Sequence, residues 1–427
     1  MKQKLLSLVV LGLFSSITSA ADTATTSTDS NPALTKQIEE TLKKIQADNG
    51  VEFYGYARAG VFSRPTDKNG DVEFDKYSLS GDSRLQFFRL GNESDQYLAF
   101  GMKKKFTFDN GVKASINFKP EMWHGPSGSG SNIKTAYFYG DVSGLSFAPN
   151  VSFWAGQRGH VLNDIHILDR DMITDDGAIG AGADGIKVGS AKLNVGVFSA
   201  NSLLDNDMGA NVSANRFNFQ LHDISVNNGG KLTVTGGKVF GGGLKGEKGY
   251  SVGLIHNQSQ FITPGLSNTL YLQRSTGHLH FTGKWANGLT STQLPAATNS
   301  FADTLNWQKG KFGGLALIGY QTTKEDGSNT AKYGSIGGRL SYGIAPNVKL
   351  LTELSYTDRK QSGAATQKLS KATVGVALSP NTDFWTRPEL RLYYSRIHRN
   401  DAAIAASSNA DGKNNVNLFG IQIETWW

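Results

Sequence analysis

From Val51 onward the hydrophobic pattern has a period of two. Val51, Phe53, Gly55, Ala57 and Val61 are apolar or small, while Glu52, Tyr54, Tyr56 and Arg58 fill positions between them. The same alternation returns along the chain. Val112, Ala114, Ile116 and Phe118 interleave with Lys113, Ser115, Asn117 and Lys119. Val348, Leu350, Thr352, Leu354 and Tyr356 interleave with Lys349, Glu353 and Ser355, with Leu351 the one break in the polar row. Leu390, Leu392 and Tyr394 alternate with Glu389, Arg391 and Ser395. Successive strand side chains point to opposite faces, so each segment predicts a strand with one apolar and one polar face. A barrel wall standing between lipid and water needs that pattern.

The connections alternate as well. One set is short and carries turn residues: Asp109-Asn110-Gly111, Ser190-Ala191-Lys192, Asn227-Asn228-Gly229-Gly230, Ala345-Pro346-Asn347 and Ser379-Pro380-Asn381. The other set is long and polar, at 64–82, 120–132, 159–184, 200–214, 240–248, 277–301, 322–331, 359–367 and 399–414. Nine long loops predict nine hairpins, hence an all-β, 18-stranded antiparallel transmembrane barrel. The second strand, over 84–108, is long and contains Gly91, which predicts a bulge. In the last strand Phe419, Ile421, Ile423 and Trp427 face one way, and Leu418, Gly420, Gln422, Glu424 and Trp426 the other. Trp427 is expected in the aromatic girdle and Trp426 in the lumen.

The N-terminus obeys a different pattern. Lys2 and Lys4 precede a short apolar run, Leu5 to Phe14, and small residues follow up to Ala20 and Ala21. Residues 1–21 are therefore expected to be a secretory signal peptide. Residues 22–50 read as a periplasmic linker. Its first part is Thr/Ser/Asp/Ala-rich, and Leu34, Ile38, Leu42 and Ile45 then form one helical stripe over 34–47. That stripe suits a short helix, either a frayed linker or a coiled coil between identical subunits. Residues 51–427 are the expected transmembrane β-barrel.

Composition narrows the function classes. Only 38% of residues are hydrophobic, and no stretch beyond the N-terminus approaches a membrane-spanning helix. A barrel dilutes its apolar signal in this way, because half of each strand faces water. The chain has no Cys, which excludes a disulfide scaffold and cysteine metal clusters. Removing Lys2 and Lys4 takes the formal charge from +7 to +5. That modest, unclustered balance gives no nucleic-acid footprint. The eight His stand in no Gly-x-Ser-x-Gly or His-Glu-x-x-His setting, so no catalytic residues, cofactor or metal site are expected. One segment is chemically distinctive. Asp164, Asp169, Asp171, Asp175, Asp176 and Asp184 gather in 21 residues opposed by Arg170 alone. The segment reads as a constriction loop folded into the lumen. A solvated surface loop and a Ca²⁺ site are the alternatives, though the spacing is not that of a calcium-binding loop.

Several segments resemble the maltoporin-type sugar porins. They are Val51-Glu52-Phe53-Tyr54-Gly55-Tyr56-Ala57-Arg58, Arg89-Leu90-Gly91-Asn92-Glu93, Trp154-Ala155-Gly156-Gln157-Arg158, Asn163-Asp164-Ile165-His166, Trp385-Thr386-Arg387-Pro388 and the final Glu424-Thr425-Trp426-Trp427. They occur in family order over 51–427. The resemblance implies an outer-membrane homotrimer that passes sugars along a slide of lumenal aromatics flanked by ionisable groups. Position by position, it implies slide residues Tyr56, Tyr97, Trp123, Trp385 and Trp426, with Trp123 in the second loop. A sixth slide position falls near Leu270 and Tyr271. It implies polar-track residues Arg58, Arg89, Lys134, Asp164, Asp169 and Asp171. There are departures. Lys134 and Leu162 stand where the family has Arg, and Asp171 where maltose-type members have a Tyr that narrows the pore. Sucrose-type members also carry Asp there, so the resemblance implies a wider, more polar pore that admits disaccharides other than maltose.

Two further readings share some of these features. A general diffusion porin would use the same barrel with charged rings and no slide. A soluble lectin-like sandwich fits the alternation but not the asymmetry of loops and turns.

Overall fold

Alternation along the chain builds one closed wall. The computed structural model describes residues 50–63, 77–81, 85–124, 132–158, 161–174, 178–199, 213–244, 248–285, 295–325, 329–406 and 412–427. The expected signal peptide and the helix at 34–47 lie outside the described residues. Val51–Trp427 forms one compact unit.

The strands are β1 (Val51–Phe62), β2 (Gln96–Thr107), β3 (Lys113–His124), β4 (Asn132–Ser143), β5 (Ser152–Arg158), β6 (Val161–Ile165), β7 (Arg170–Thr174), β8 (Ala178–Val188), β9 (Ala191–Ser199) and β10 (Ala214–Asn227). They continue with β11 (Gly230–Gly241), β12 (Tyr250–Gln258), β13 (Leu266–Ser275), β14 (Pro295–Lys309), β15 (Phe312–Glu325), β16 (Thr330–Ala345), β17 (Val348–Gln361), β18 (Gln367–Leu378), β19 (Glu389–Arg399) and β20 (Asn415–Trp426). All except β6 and β7 join a single 18-stranded antiparallel sheet. It closes where β1 pairs with β20, Tyr56 opposite Trp426 and Gly60 opposite Gln422. Closure leaves no sheet edge, as hydrocarbon requires. A one-turn helix α1 (Asp401–Ala405), capped by Asn400, lies in the last loop.

The wall is inside-out by the standard of a water-soluble protein. Along β19, Leu392 is 59% exposed while Arg391 is 1% exposed. Phe53, Ile116, Phe138, Leu354, Phe419 and Ile421 are exposed, whereas Arg339, Lys349, Glu353 and Thr373 are buried. Polar side chains therefore point into the lumen and apolar ones outward, toward lipid. Outward aromatics gather near both ends. Trp307, Phe312, Tyr342 and Trp427 lie at the turn side, and Tyr250, Tyr320 and Tyr356 at the loop side.

The interior is partly filled by chain. Leu85 and Phe88 from the first loop, Ile165, Ile167, Leu168, Met172 and Ile173 from the third, and Phe281 and Phe384 pack against Ile255, Tyr271, Leu315 and Leu317 of the wall. Each large side chain so buried contributes about 1.5–3 kcal/mol. The third loop is a short hairpin, β6 against β7, joined by a 3₁₀ turn over His166–Leu168. The wall accommodates these insertions with glycine. A Cβ on Gly337 would stand 2.6 Å from the Phe88 ring, and one on Gly91, at φ +63°, would collide with Ser395 Oγ.

Three expectations need correction. Residues 85–95 are not the start of a long second strand: β2 begins at Gln96, and Gly91 lies in the inward-folded first loop. The apolar run Leu85, Phe88 and Leu90 is buried inside the barrel, which draws this segment off the wall. Pro120 to His124 is strand, so Trp123 belongs to β3 and not to the second loop. Asp184 belongs to β8, where Arg158 Nη1 donates to it at 2.6 Å, and not to the acidic loop. Asp175 and Asp176 lie outside the described residues.

Candidate functional site

Five wall strands, β4 among them through Tyr137, two inward loops and one turn converge on one lumenal cavity of about 670 Å³. β1 contributes Tyr56 and Arg58, β2 Tyr97, β3 Lys119 and Glu121, and β20 Trp426. Their alternation places them on the polar face. Tyr56 stands opposite Ala99, and Arg58 opposite Tyr97 and Glu424. The first loop brings Arg89, and the third brings Asp164, His166, Asp169 and Asp171. Trp385 enters from the turn between β18 and β19, ahead of the last two strands of the wall.

The aromatics form two groups. The Tyr56 and Tyr97 rings lie 5.8 Å apart. Trp385 and Trp426 flank the His166 imidazole at 5.2 and 5.6 Å. The Arg387 guanidinium stacks 4.3 Å over Trp426, and Arg58 lies 5.3 Å from the Tyr97 ring.

The ionisable groups are densely paired. Arg58 donates from Nε and Nη2 to both oxygens of Asp95, at 2.7 and 2.8 Å, and from Nη1 to Asp169 at 3.1 Å. Such a two-pronged contact fixes the guanidinium plane. Arg89 pairs with Glu93 at 3.0 Å and Glu424 at 2.9 Å, and donates to the Tyr56 hydroxyl. The Tyr56 hydroxyl in turn donates to Glu424 at 2.8 Å. Arg387 and Arg391 also converge on Glu424. Buried, densely bonded charge of this kind resists rearrangement.

His166 is the notable titratable group. Its Nε2 lies 3.1 Å from Arg387 Nη2 and its Nδ1 3.5 Å from Arg89 Nη1. Both arginines only donate and a neutral imidazole has one acceptor nitrogen, so the shorter contact, Arg387 to Nε2, is assigned as the hydrogen bond and the longer Arg89 contact to Nδ1 is not one. Burial drives its pKa well below the ordinary value, and Arg89 and Arg387 add to this against the opposing pull of Glu424. The imidazole is therefore neutral. Asp164 stands directly opposite Asp171 in the β6–β7 hairpin. Its side chain keeps contact with the lumen but is hemmed in by protein. That enclosure, and then Asp171 and Asp169, raise its pKa.

Nine of the sequence-derived positions thus line one cavity: Tyr56, Tyr97, Trp385, Trp426, Arg58, Arg89, Asp164, Asp169 and Asp171. Trp123 and Lys134 flank it. Trp123 pairs with Tyr97 across the strands and donates from Nε1 to Asp95 at 2.9 Å. Lys134 is exposed and lies opposite Glu121. Tyr271 faces the interior but is buried in the apolar plug, and its neighbour Leu270 faces outward. The Leu162 side chain lies outside the described residues. Sequence reasoning missed Glu93, Asp95, His166, Arg387 and Glu424 as members of the network. Glu93, His166, Arg387 and Glu424 do fall within the segments that carry the resemblance. Among the described residues, no group of three or more His, Asp or Glu is placed to hold a metal ion.

A family model described as LamB porin matches residues 51–427, the whole barrel. The chain belongs to the LamB porin family. It is an outer-membrane channel protein, consistent with its inside-out wall. Among the relatives of this porin, a maltoporin of Hahella chejuensis is 24% identical over 411 residues, covering 92% of this chain and 96% of that protein. A maltoporin of Photobacterium profundum is 24% identical over 430 residues, covering 88% and 94%. Of solved structures, Acinetobacter baumannii OccAB1 superposes with a TM-score of 0.52 at 11% identity, over 88% of this chain and 96% of that one. Pseudomonas aeruginosa OccK2 superposes at 0.51 and 10% identity, over 88% and 97%. These two share the fold.

Proposed function

We propose that this LamB-family porin carries sugars across the outer membrane by facilitated diffusion. In this reading Tyr56, Tyr97, Trp123, Trp385 and Trp426 form the slide, and Arg58, Arg89, Lys134, Asp164, Asp169 and Asp171 form the polar track. The observation that carries it is the convergence of both residue types on one lumenal cavity. A pyranose ring has an apolar face that stacks on an aromatic ring. Its hydroxyls need partners, and charged groups make the stronger bonds. A row of such places lets a sugar pass along, provided each contact is weak enough to release. The relatives named maltoporin support a sugar as cargo. Asp171 in place of a bulky aromatic supports disaccharides beyond maltose.

The reading includes an assembly and a leader. The protein works as a homotrimer, which cross-linking of the detergent-purified protein tests. Residues 1–21 are removed on export, which N-terminal sequencing of the mature protein tests. In this reading the protein acts as a channel and not as an enzyme, which its porin family and maltoporin relatives support.

The competing reading is a general diffusion porin, favoured by the arginine and carboxylate pairs that line the lumen. Single-channel current through planar bilayers separates the two. Maltose and sucrose titrations are expected to give saturable block. Block that stays absent for both sugars, with uptake following solute size alone, overturns the sugar reading.

A further inference from the structure

The outward, lipid-facing side of the wall carries an unexpected charge pattern. On five successive strands a cation occupies one of the last two outward positions before the long loops: Lys324 on β15, Lys332 on β16, Lys360 on β17, Lys368 on β18 and Arg396 on β19, with Thr330 and His398 the outward residues beyond Lys332 and Arg396. All five are exposed, and none makes an ion pair among the described residues. Asp358, opposite Gly334 and Lys368, is the one acidic side chain described on the outward face of these strands. Lys332 and Lys360 stand directly opposite each other across β16 and β17. Like charges in that register repel, and the single Asp358 opposite Lys368 leaves the five cations in excess.

Just below the rim the wall is grooved. A hollow of about 550 Å³ is lined by Ile336, Leu354, Tyr356 and Ala372, with Arg396 and His398 at its loop side. Its shape and chemistry suit an acyl chain beneath an anionic head. The outward positions nearest the long loops on β1 to β4, Val61, Gln96, His124 and Ile133, carry no Lys or Arg, whereas on β13 Arg274 occupies this position.

We propose that the rim of β15–β19 and the groove beneath it bind a phosphate-bearing acyl lipid of the outer leaflet, its phosphate held by Lys332, Lys360, Lys368 and Arg396. Lysine and arginine near a membrane surface attract anionic headgroups, and their attraction adds across a cluster. The groove offers apolar surface to an acyl chain, and the excess of cations over the single Asp358 favours the phosphate. The inference needs only the barrel's place in the outer membrane and stands whether or not the lumen carries sugars.

The test uses the full protein, delipidated in nonionic detergent, and bis-phosphorylated hexa-acyl lipid A as the probe, with retained lipid counted by native mass spectrometry. The parent is expected to bind it saturably. The variant K332Q/K360Q/K368Q/R396Q is expected to bind roughly a hundredfold more weakly or worse. Lipid A stripped of its phosphates is expected to bind the parent as weakly. K104Q, on the turn side of β2, is expected to bind as the parent does. Heat-modifiable gel mobility and ion conductance report that the variant barrel is intact, and the single variants K360Q and R396Q each give a partial loss should the fourfold variant fail to fold. Equal binding by parent and variants, or equal binding of the dephosphorylated lipid, overturns the proposal. So does a change of oligomeric state in the fourfold variant, which would make the rim a contact between copies of this chain.

Discussion

At the scale of single residues, two features are open to direct test. Trp426 and Tyr97 stand on the lumenal face of β20 and β2, the two strands that flank β1, and line the same cavity. An aromatic contact is worth about 0.5–1.5 kcal/mol. Trp426→Ala and Tyr97→Ala are therefore each expected to weaken sugar block by roughly 2- to 10-fold, with ion conductance nearly unchanged. Parent-like block in both variants would remove the slide. His166 makes a prediction about pH. Its pKa is depressed by burial, so the folded protein holds it neutral while the unfolded chain takes up a proton below about 6.5. The unfolded state then binds more protons, and stability falls as pH drops below that value, by up to about 1.4 kcal/mol per pH unit. His166→Gln keeps an acceptor for Arg387 and removes the titration. The melting temperature of the parent, relative to the variant, is expected to fall between pH 7.5 and pH 5, and parallel curves would contradict the assignment. These residues also show what a sequence can yield. Tyr56 and Trp426 were readable by alternation alone, since a strand fixes the facing of every second side chain. His166, Arg387 and Asp95 were not, because their neighbours come from loops and turns whose path no period encodes.

At the scale of elements, the inward loops decide the lumen, and the wall grips them through specific bonds. Glu353 of β17 is fully buried between Arg339 and Lys371 and accepts from the Leu90 amide at 3.0 Å. Lys371 and Thr373 donate to the Leu90 carbonyl at 2.6 and 3.1 Å. The first loop is thus fastened to β17 and β18 by its backbone. Glu353→Ala leaves two buried cations uncompensated and is expected to cost about 3–5 kcal/mol, read as a lower unfolding temperature in detergent. Glu353→Gln, which can still accept from Leu90, is expected to lose less. An unchanged Glu353→Ala barrel would show that the apolar plug alone holds the loop. The third loop carries a second test. Asp171 lines the cavity from β7, and Asp171→Tyr is expected to lower single-channel conductance without lowering stability. Equal or higher conductance would place the constriction elsewhere. Strand number was legible here because loop and turn lengths alternate. The start of the second strand was misread because Leu85, Phe88 and Leu90 form an apolar run ahead of Gln96. Such a run fits a strand or a buried plug equally well, and only the interior space of the closed barrel distinguishes them.

At the scale of the whole molecule, the wall has two solvents, and each residue is matched to one of them. Leu354 shows what that matching costs to break. It lies at the middle of β17, faces outward at 58% exposure, and is followed by lumenal Ser355. In a soluble protein such an exposed leucine would tolerate lysine with little effect. In a barrel the same substitution puts a charge in hydrocarbon, at roughly 2–4 kcal/mol near the midplane. Leu354→Lys is therefore expected to unfold at lower denaturant when refolded into lipid vesicles, while Leu354→Met stays within about 1.5 kcal/mol of the parent. The two variants change volume little and differ chiefly in charge, so their difference isolates the surrounding medium. Equal stability would mean that water reaches this face, and the inside-out pattern would then need an origin other than lipid. The same measurement in detergent alone is expected to shrink the gap, because a micelle adapts around a charge more readily than a bilayer does. The size of that shrinkage measures how far the fold depends on the membrane rather than on its own hydrogen-bonded closure.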